Sequence, residues 1–179
     1  DADIGDAPAI EKIRIAADRG KLLHGLFERV EGGRKQNFAD DAARWLASRD
    51  KGGEHGHQEL IRQAASVLED DRWSEIFAPA ARAEVPIAAL VGETVVTGRI
   101  DRLVVTEKYV RIVDFKSGRF VPRTAEKVPV SQLRQMAYYV AALEKIFPNH
   151  SVEAALLYTF EPYLLTLADT DLEPYKPAS

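Results

Sequence analysis

Three residues combine types and spacing that could do chemistry together: Asp101, Asp114 and Lys116, in Gly98-Arg-Ile-Asp101 and Asp114-Phe-Lys116. The residues between them alternate apolar and polar around Glu107-Lys108. With Glu107-Lys108 as a two-residue hairpin turn, antiparallel pairing sets Asp101 opposite Asp114, Leu103 opposite Ile112 and Val105 opposite Val110. Residues directly opposite share a face, with Cβ atoms about 4.5–5.5 Å apart. Lys116, two residues past Asp114, points the same way. Two carboxylates that close oppose each other's ionisation unless a cation intervenes. Mg²⁺ is such a cation, bound through one or two carboxylates, water and substrate phosphate. A lysine beside it could orient or deprotonate an attacking water and balance phosphate charge. The same acids could instead pair with Arg99, Arg102 or Lys116 on an ordinary surface hairpin, and Asp-x-Lys alone is a weak signal where 29% of residues are charged.

The elements that must position this trio are legible in outline. Ile10, Ile13, Ala17, Gly20, Leu23, Phe27 and Val30 recur at helical spacing, and Gly32-Gly33 ends that segment. Further helices are expected over 39–48 and 59–68, with a glycine-rich loop between them. After Pro79 the pattern turns to strands at 85–89, 93–105 and 109–115. A polar connection over 122–129 leads to a helix over 131–146, with Leu133, Met136, Val140 and Leu143 on one face. Strands near 152–159 and 163–167 precede a polar tail. This order predicts a single α/β domain over 1–179 with a central mixed sheet flanked by helices. Residues 1–78 read as a mainly helical extension, 79–168 as the sheet-bearing core, and 169–179 as the tail.

Composition removes several classes of function. The absence of cysteine excludes disulfides, zinc–thiolate sites and iron–sulfur clusters. No apolar run approaches the roughly 18 residues of a membrane span, and the N-terminus lacks a secretory leader pattern, so the reading is cytoplasmic, with no membrane partner. No G-x-x-x-x-G-K-S/T motif marks an ATPase motor. A net charge of −4 speaks against a simple nucleic-acid-coating protein. Yet residues 99–127 hold eight Lys or Arg against four Asp or Glu, a net of +4 that leaves −8 for the rest. Arg99, Arg102, Arg119 and Arg123 in that strip could grip phosphates, or simply solvate a hairpin.

With the two segments that carry the trio, five motifs fall in order along the chain: Gly20-Lys-Leu-Leu-His24, Glu84-Val-Pro-Ile, Gly98-Arg-Ile-Asp101, Asp114-Phe-Lys-Ser-Gly118 and Gln135-Met-Ala-Tyr-Tyr139. Each is weak alone. Together they resemble the PD-(D/E)xK nuclease superfamily, and within it the C-terminal nuclease domain of AddA- and RecB-type helicase–nucleases, nearest the AddA type. The resemblance implies a restriction-endonuclease-like core and a DNA exonuclease or endonuclease dependent on Mg²⁺, with Mn²⁺ as substitute. It implies metal ligation by Asp101, Asp114 and the Phe115 carbonyl, with Lys116 catalytic. His24 would be a further metal ligand or a phosphate contact, and Glu84 would lie at the rim of the site. Gln135 and Tyr139 would stand near the scissile phosphate or support Lys116, though Gln132 and Tyr138 offer a competing register. It further implies single-stranded DNA fed from a duplex end, helicase motor domains in the same parent chain, an AddB-like partner subunit and a place at the bacterial nucleoid, in recombinational break repair. A non-cleaving DNA-binding or protein-interaction domain of the same fold is the alternative, and the intact Asp-x-Lys speaks against it. The pair His55 and His57, with no third ligand in sight, and His150 after a helix stop all read as solvated.

Overall fold

A computed structural model describes residues 7–30, 37–50 and 56–178. Gly32-Gly33 and His55 lie outside the described residues. Helix α1 (Ala7–Glu28), α2 (Phe38–Arg49) and α3 (His57–Leu68) come first, followed by a 3-10 segment Asp71–Phe77. Strands β1 (Ala81–Val91), β2 (Thr94–Val105) and β3 (Tyr109–Lys116) form a meander. Helix α4 (Val130–Ile146), strands β4 (Ser151–Tyr158) and β5 (Tyr163–Leu167), and a short α5 (Asp169–Leu172) complete the chain. The sheet order is β1-β2-β3-β4-β5, antiparallel except for the parallel β3–β4 pair that α4 crosses over. The sheet is therefore mixed, as expected.

The β2–β3 hairpin has the expected register: Leu103 pairs with Ile112 and Val105 with Val110. Its Glu107-Lys108 turn lacks the usual Asn-Gly. The Thr106 hydroxyl compensates by accepting the Lys108 and Tyr109 N–H groups at 3.3 and 3.0 Å. The β1–β2 turn instead uses Gly92 at φ 56°, a positive angle that two-residue hairpins favour.

Two cores lie on the two sheet faces. Leu133, Met136, Val140 and Leu143 of α4 cover Leu103, Ile112, Ala154 and Leu156 on one face. On the other, Leu23 and Phe27 of α1, Leu60 and Ala64 of α3, and Phe77 cover Val113, Phe115, Ala155 and Leu157. Three aromatic rings meet at its centre, Phe27, Phe77 and Phe115, with centroids 4.8–6.0 Å apart, Phe77 stacked on Phe115 and Phe27 tilted against both.

Several expectations need correction. Ile10, Ile13 and Ala17 are exposed, Ile13 at 69%. Only the second half of α1 lies over the sheet, so helical periodicity there runs past the surface that uses it. Most elements fall within a residue or two of the forecast bounds, but β1 runs Ala81–Val91 where 85–89 was expected. The tail is not merely polar: α5 buries Leu172 against α4, and Lys176 bonds Glu144 at 2.9 Å. His57 is not solvated, because its Nε2 meets Asp50 at 2.9 Å and closes α3 onto the end of α2. His150 is half-buried, edge-on to the Phe147 ring at 5.6 Å.

Candidate active site

The sheet is irregular where its acids gather. β2 and β3 pair through Arg102–Val113, and the ladder stops before Asp101 and Asp114. There the Asp101 side chain replaces a backbone acceptor: its Oδ2 accepts the Phe115 N–H at 2.7 Å. Because a strand residue's N–H and C=O point to the same side, the Phe115 carbonyl also faces Asp101. On the other flank, Ala83 pairs with Arg102 and Val85 with Ile100, which leaves Glu84 and Asp101 facing each other unpaired. Glu84 has φ 51°, a left-handed conformation that costs a non-glycine residue roughly 1–3 kcal/mol.

This break also corrects the expected facing of the two aspartates. Ile100 and Leu103 both pack under α4 although three residues apart, so alternation fails between them. Asp101 sits at the failure and turns toward α1, with its Oδ2 3.5 Å from His24 Nδ1. Asp114 follows the regular pattern toward α4. It pairs with Lys116 Nζ at 2.5 Å and accepts from Gln135 Nε2 at 3.2 Å. Gln135 lies 3.5 Å from the Tyr139 hydroxyl, one turn along the same helix face. The geometry thus brings Gln135 and Tyr139 together beside Asp114.

His24, Glu84 and Asp101 each offer a ligand atom within 4.8 Å of the others. An octahedral ion with ligands at about 2.0–2.1 Å sets them about 3–4.2 Å apart, so these donors would close in modestly around a hard divalent cation. Imidazole among the oxygens suits Mn²⁺ as well. Electrostatics agree. Burial, then the charge of Asp101, raises the Asp114 pKa against the opposing pull of Lys116. Burial, then the charges of Asp101 and Glu28, raises that of Glu84. For His24, burial acts downward, but the hydrogen bond and charge of Asp101 carry the pKa above its usual value. Crowded acids of this kind are what a bound cation would relieve.

Arg102 is the residue most misjudged from sequence. It is 1% exposed, and its guanidinium donates to the Phe27 and Val30 carbonyls at 2.5 and 2.9 Å, over the Phe77 ring. A cation on the carbonyls at the end of α1 complements the helix dipole. It also locks the helix bearing His24 to the strand bearing Asp101. The basic strip is otherwise partly consumed: Arg111 bridges Glu75 and Glu153, Arg123 pairs with Glu161, and Arg99 lies 3.6 Å from Glu84. Its position inside Ile-Asp-Arg-Leu-Val-Val was the one hint of burial.

Glycines set two of the close approaches. A Cβ on Gly98 would stand 2.4 Å from the Tyr139 hydroxyl, and one on Gly20 would stand 2.8 Å from Ser117 Oγ. Both glycines belong to the ordered motifs, and both let an element crowd the end of the sheet where the acids gather.

A mixed sheet with helices on both faces, and acids collected where the hairpin ladder fails, defines a restriction-endonuclease-like α/β domain. The chain belongs to the PD-(D/E)XK nuclease superfamily, whose sequence pattern matches residues 3–172. Members of that superfamily are generally nucleases and typically use divalent metals. None of the curated proteins matches the sequence. A solved structure described as "Crystal structure of SSO0001" is similar at 14% identity and TM-score 0.37, covering 83% of this chain and 70% of that one. That likeness is too distant to carry an argument. Among the described residues, no helix is long and apolar enough to cross a membrane.

Proposed function

We propose that this chain hydrolyses DNA phosphodiester bonds with a divalent cation, Mg²⁺ or Mn²⁺. The observation carrying the reading is the His24–Glu84–Asp101 cluster set beside the Asp114–Lys116 ion pair. His24, Asp101, Asp114 and the Phe115 carbonyl would hold the ion, and Glu84, whose carboxylate lies within 4.8 Å of the His24 and Asp101 donors, would stand at the rim within reach of it. When bound, the ion supplies positive charge for the phosphate and acidity for a water. Lys116 orients that water and compensates charge building on the phosphoryl oxygens. Gln135 holds Asp114 from α4, and Tyr139 holds Gln135. The ordered motifs further support the nuclease module of an AddA- or RecB-type helicase–nuclease. There, motor domains of the parent chain and an AddB-like subunit would deliver single-stranded DNA from a duplex end for recombinational repair at the bacterial nucleoid.

The test is incubation of labelled single- and double-stranded DNA with Mg²⁺ or Mn²⁺. Cleavage should require metal, stop with a chelator and be lost in Asp114→Ala. A purified chain that cuts neither substrate and gains no thermal stability from metal would overturn the reading. Full cleavage by Asp114→Ala would overturn the site.

A further inference from the structure

We propose that the pocket beside Lys116 on the α4 face is a base-binding subsite for a nucleotide flanking the scissile phosphate; this rests on the nuclease reading above. The pocket has a volume of about 370 Å³ and is lined by Lys116, Phe120, Pro122, Gln132 and Tyr158 among others. Lys116 and Tyr158 are register partners in β3 and β4, so the pocket adjoins the catalytic end of the sheet.

Two polar atoms argue for a ligand. The Tyr158 hydroxyl, on a side chain only 2% exposed, and Gln132 Oε1 are both buried without a hydrogen-bond partner among the described residues. Native proteins satisfy roughly nine in ten such groups, so two on residues that line one pocket mark an acceptor–donor pair awaiting its complement. Burial, with the charge of Asp114, pushes the Tyr158 pKa up to about 12, so the hydroxyl remains a donor at neutral pH. At the rim Phe120 is 64% exposed, a bare aromatic ring above the polar floor. Aromatic platforms with hydrogen bonds to the base edge are how proteins hold splayed single-stranded bases. Lys116 could meet a phosphate at the same wall, but the exposed Phe120 ring and the Pro122 wall suit the flat face of a base. Gln132 thereby acquires a role separate from Gln135, on the adjoining part of α4.

A single-stranded oligonucleotide carrying 2-aminopurine, titrated with Ca²⁺ present, reports stacking by loss of fluorescence without requiring cleavage. The full chain should quench it saturably. Phe120→Ala should weaken that binding at least about fivefold, the low end for one base–aromatic stack. Tyr158→Phe should weaken it about threefold, as for one neutral hydrogen bond. Tyr158→Phe removes only an unpartnered buried hydroxyl, so a melting temperature equal to or above that of the wild type should accompany the loss. Absent quenching by the wild-type chain, or both variants quenching as the wild type does, would overturn the subsite and leave an ordered water as the pocket's only occupant. Cleavage with Mg²⁺ separates the two ideas: DNA cut without quenching sinks the subsite alone, whereas quenching without cutting sinks the nuclease reading and leaves the pocket a binding site for single-stranded bases with no scissile phosphate beside it.

Discussion

Gly98→Ala is a one-methyl perturbation whose effect can be worked out from the packing. The added Cβ would lie 2.4 Å from the Tyr139 hydroxyl oxygen and 2.6 Å from Cε1 of its ring. Carbon atoms pack best at about 3.5–4.0 Å, so the ring must withdraw by about 1 Å. The Gly98 backbone is not left-handed, since the positive-φ glycines among the described residues are Gly56 and Gly92. Alanine therefore meets no backbone penalty, and by constraining the unfolded chain gains about 0.4–1 kcal/mol. Overpacking costs about 1–3 kcal/mol, leaving a net loss of about 1–2 kcal/mol, near 2–8 °C in Tm for a chain of this size. Tyr139 supports Gln135, which holds Asp114. A displacement of about 1 Å in such a chain can cost roughly 100-fold in rate, and kcat should fall by about 10- to 100-fold. Urea unfolding and DNA cleavage give the two readouts, each repeated in a Tyr139→Ala background. There the methyl has room, and Gly98→Ala should be neutral or slightly stabilising. Equal destabilisation in both backgrounds would refute the clash with Tyr139.

Asp114→Asn should raise the metal-free Tm at neutral pH while abolishing cleavage. The raised folded pKa means that the wild-type carboxyl's contribution is intact below its unfolded value of about 3.9 and lost as pH rises through the folded one. The advantage of Asn should therefore open with rising pH, and a gap constant from pH 4 to 8 would contradict it. Mn²⁺ at 100 times its Kd should stabilise the chain by about 2.7 kcal/mol, about 5–11 °C in differential scanning fluorimetry. Asp101→Asn should remove most of that shift, and an undiminished shift would place the ion elsewhere. Arg102→Leu removes two hydrogen bonds from a charged donor and should cost at least about 2 kcal/mol by urea unfolding. Wild-type stability in that variant would show that α1 is held by its apolar face alone.

The hairpin register was readable because alternation around a two-residue turn leaves few options, and the apolar pairs Leu103–Ile112 and Val105–Val110 fix it. The ordered motifs named His24, Glu84, Asp101, Asp114, Lys116, Gln135 and Tyr139, and passed over Glu28, whose charge reaches Glu84. The break at Asp101 was not readable. It depends on Glu84 adopting a left-handed backbone, which nothing in Ala-Glu-Val-Pro signals. Arg102 was misread because charge usually means surface, and its partners are carbonyls more than 70 residues away. Likewise His57 is set by Asp50, seven residues earlier, and the pocket beside Lys116 by β3 meeting β4 over a crossover. Each is a property of contact rather than of pattern.

The left-handed backbone at Glu84 has a consequence for how this protein can be improved or can drift. Glycine there would relieve the torsion and stabilise the chain by about 1 kcal/mol or more. A screen that rewards heat resistance alone would therefore enrich Glu84→Gly and discard an acid from the cluster. Libraries built to harden this nuclease fold should hold Glu84 fixed and seek stability elsewhere, for instance at the exposed Ile13, Leu90 and Val95.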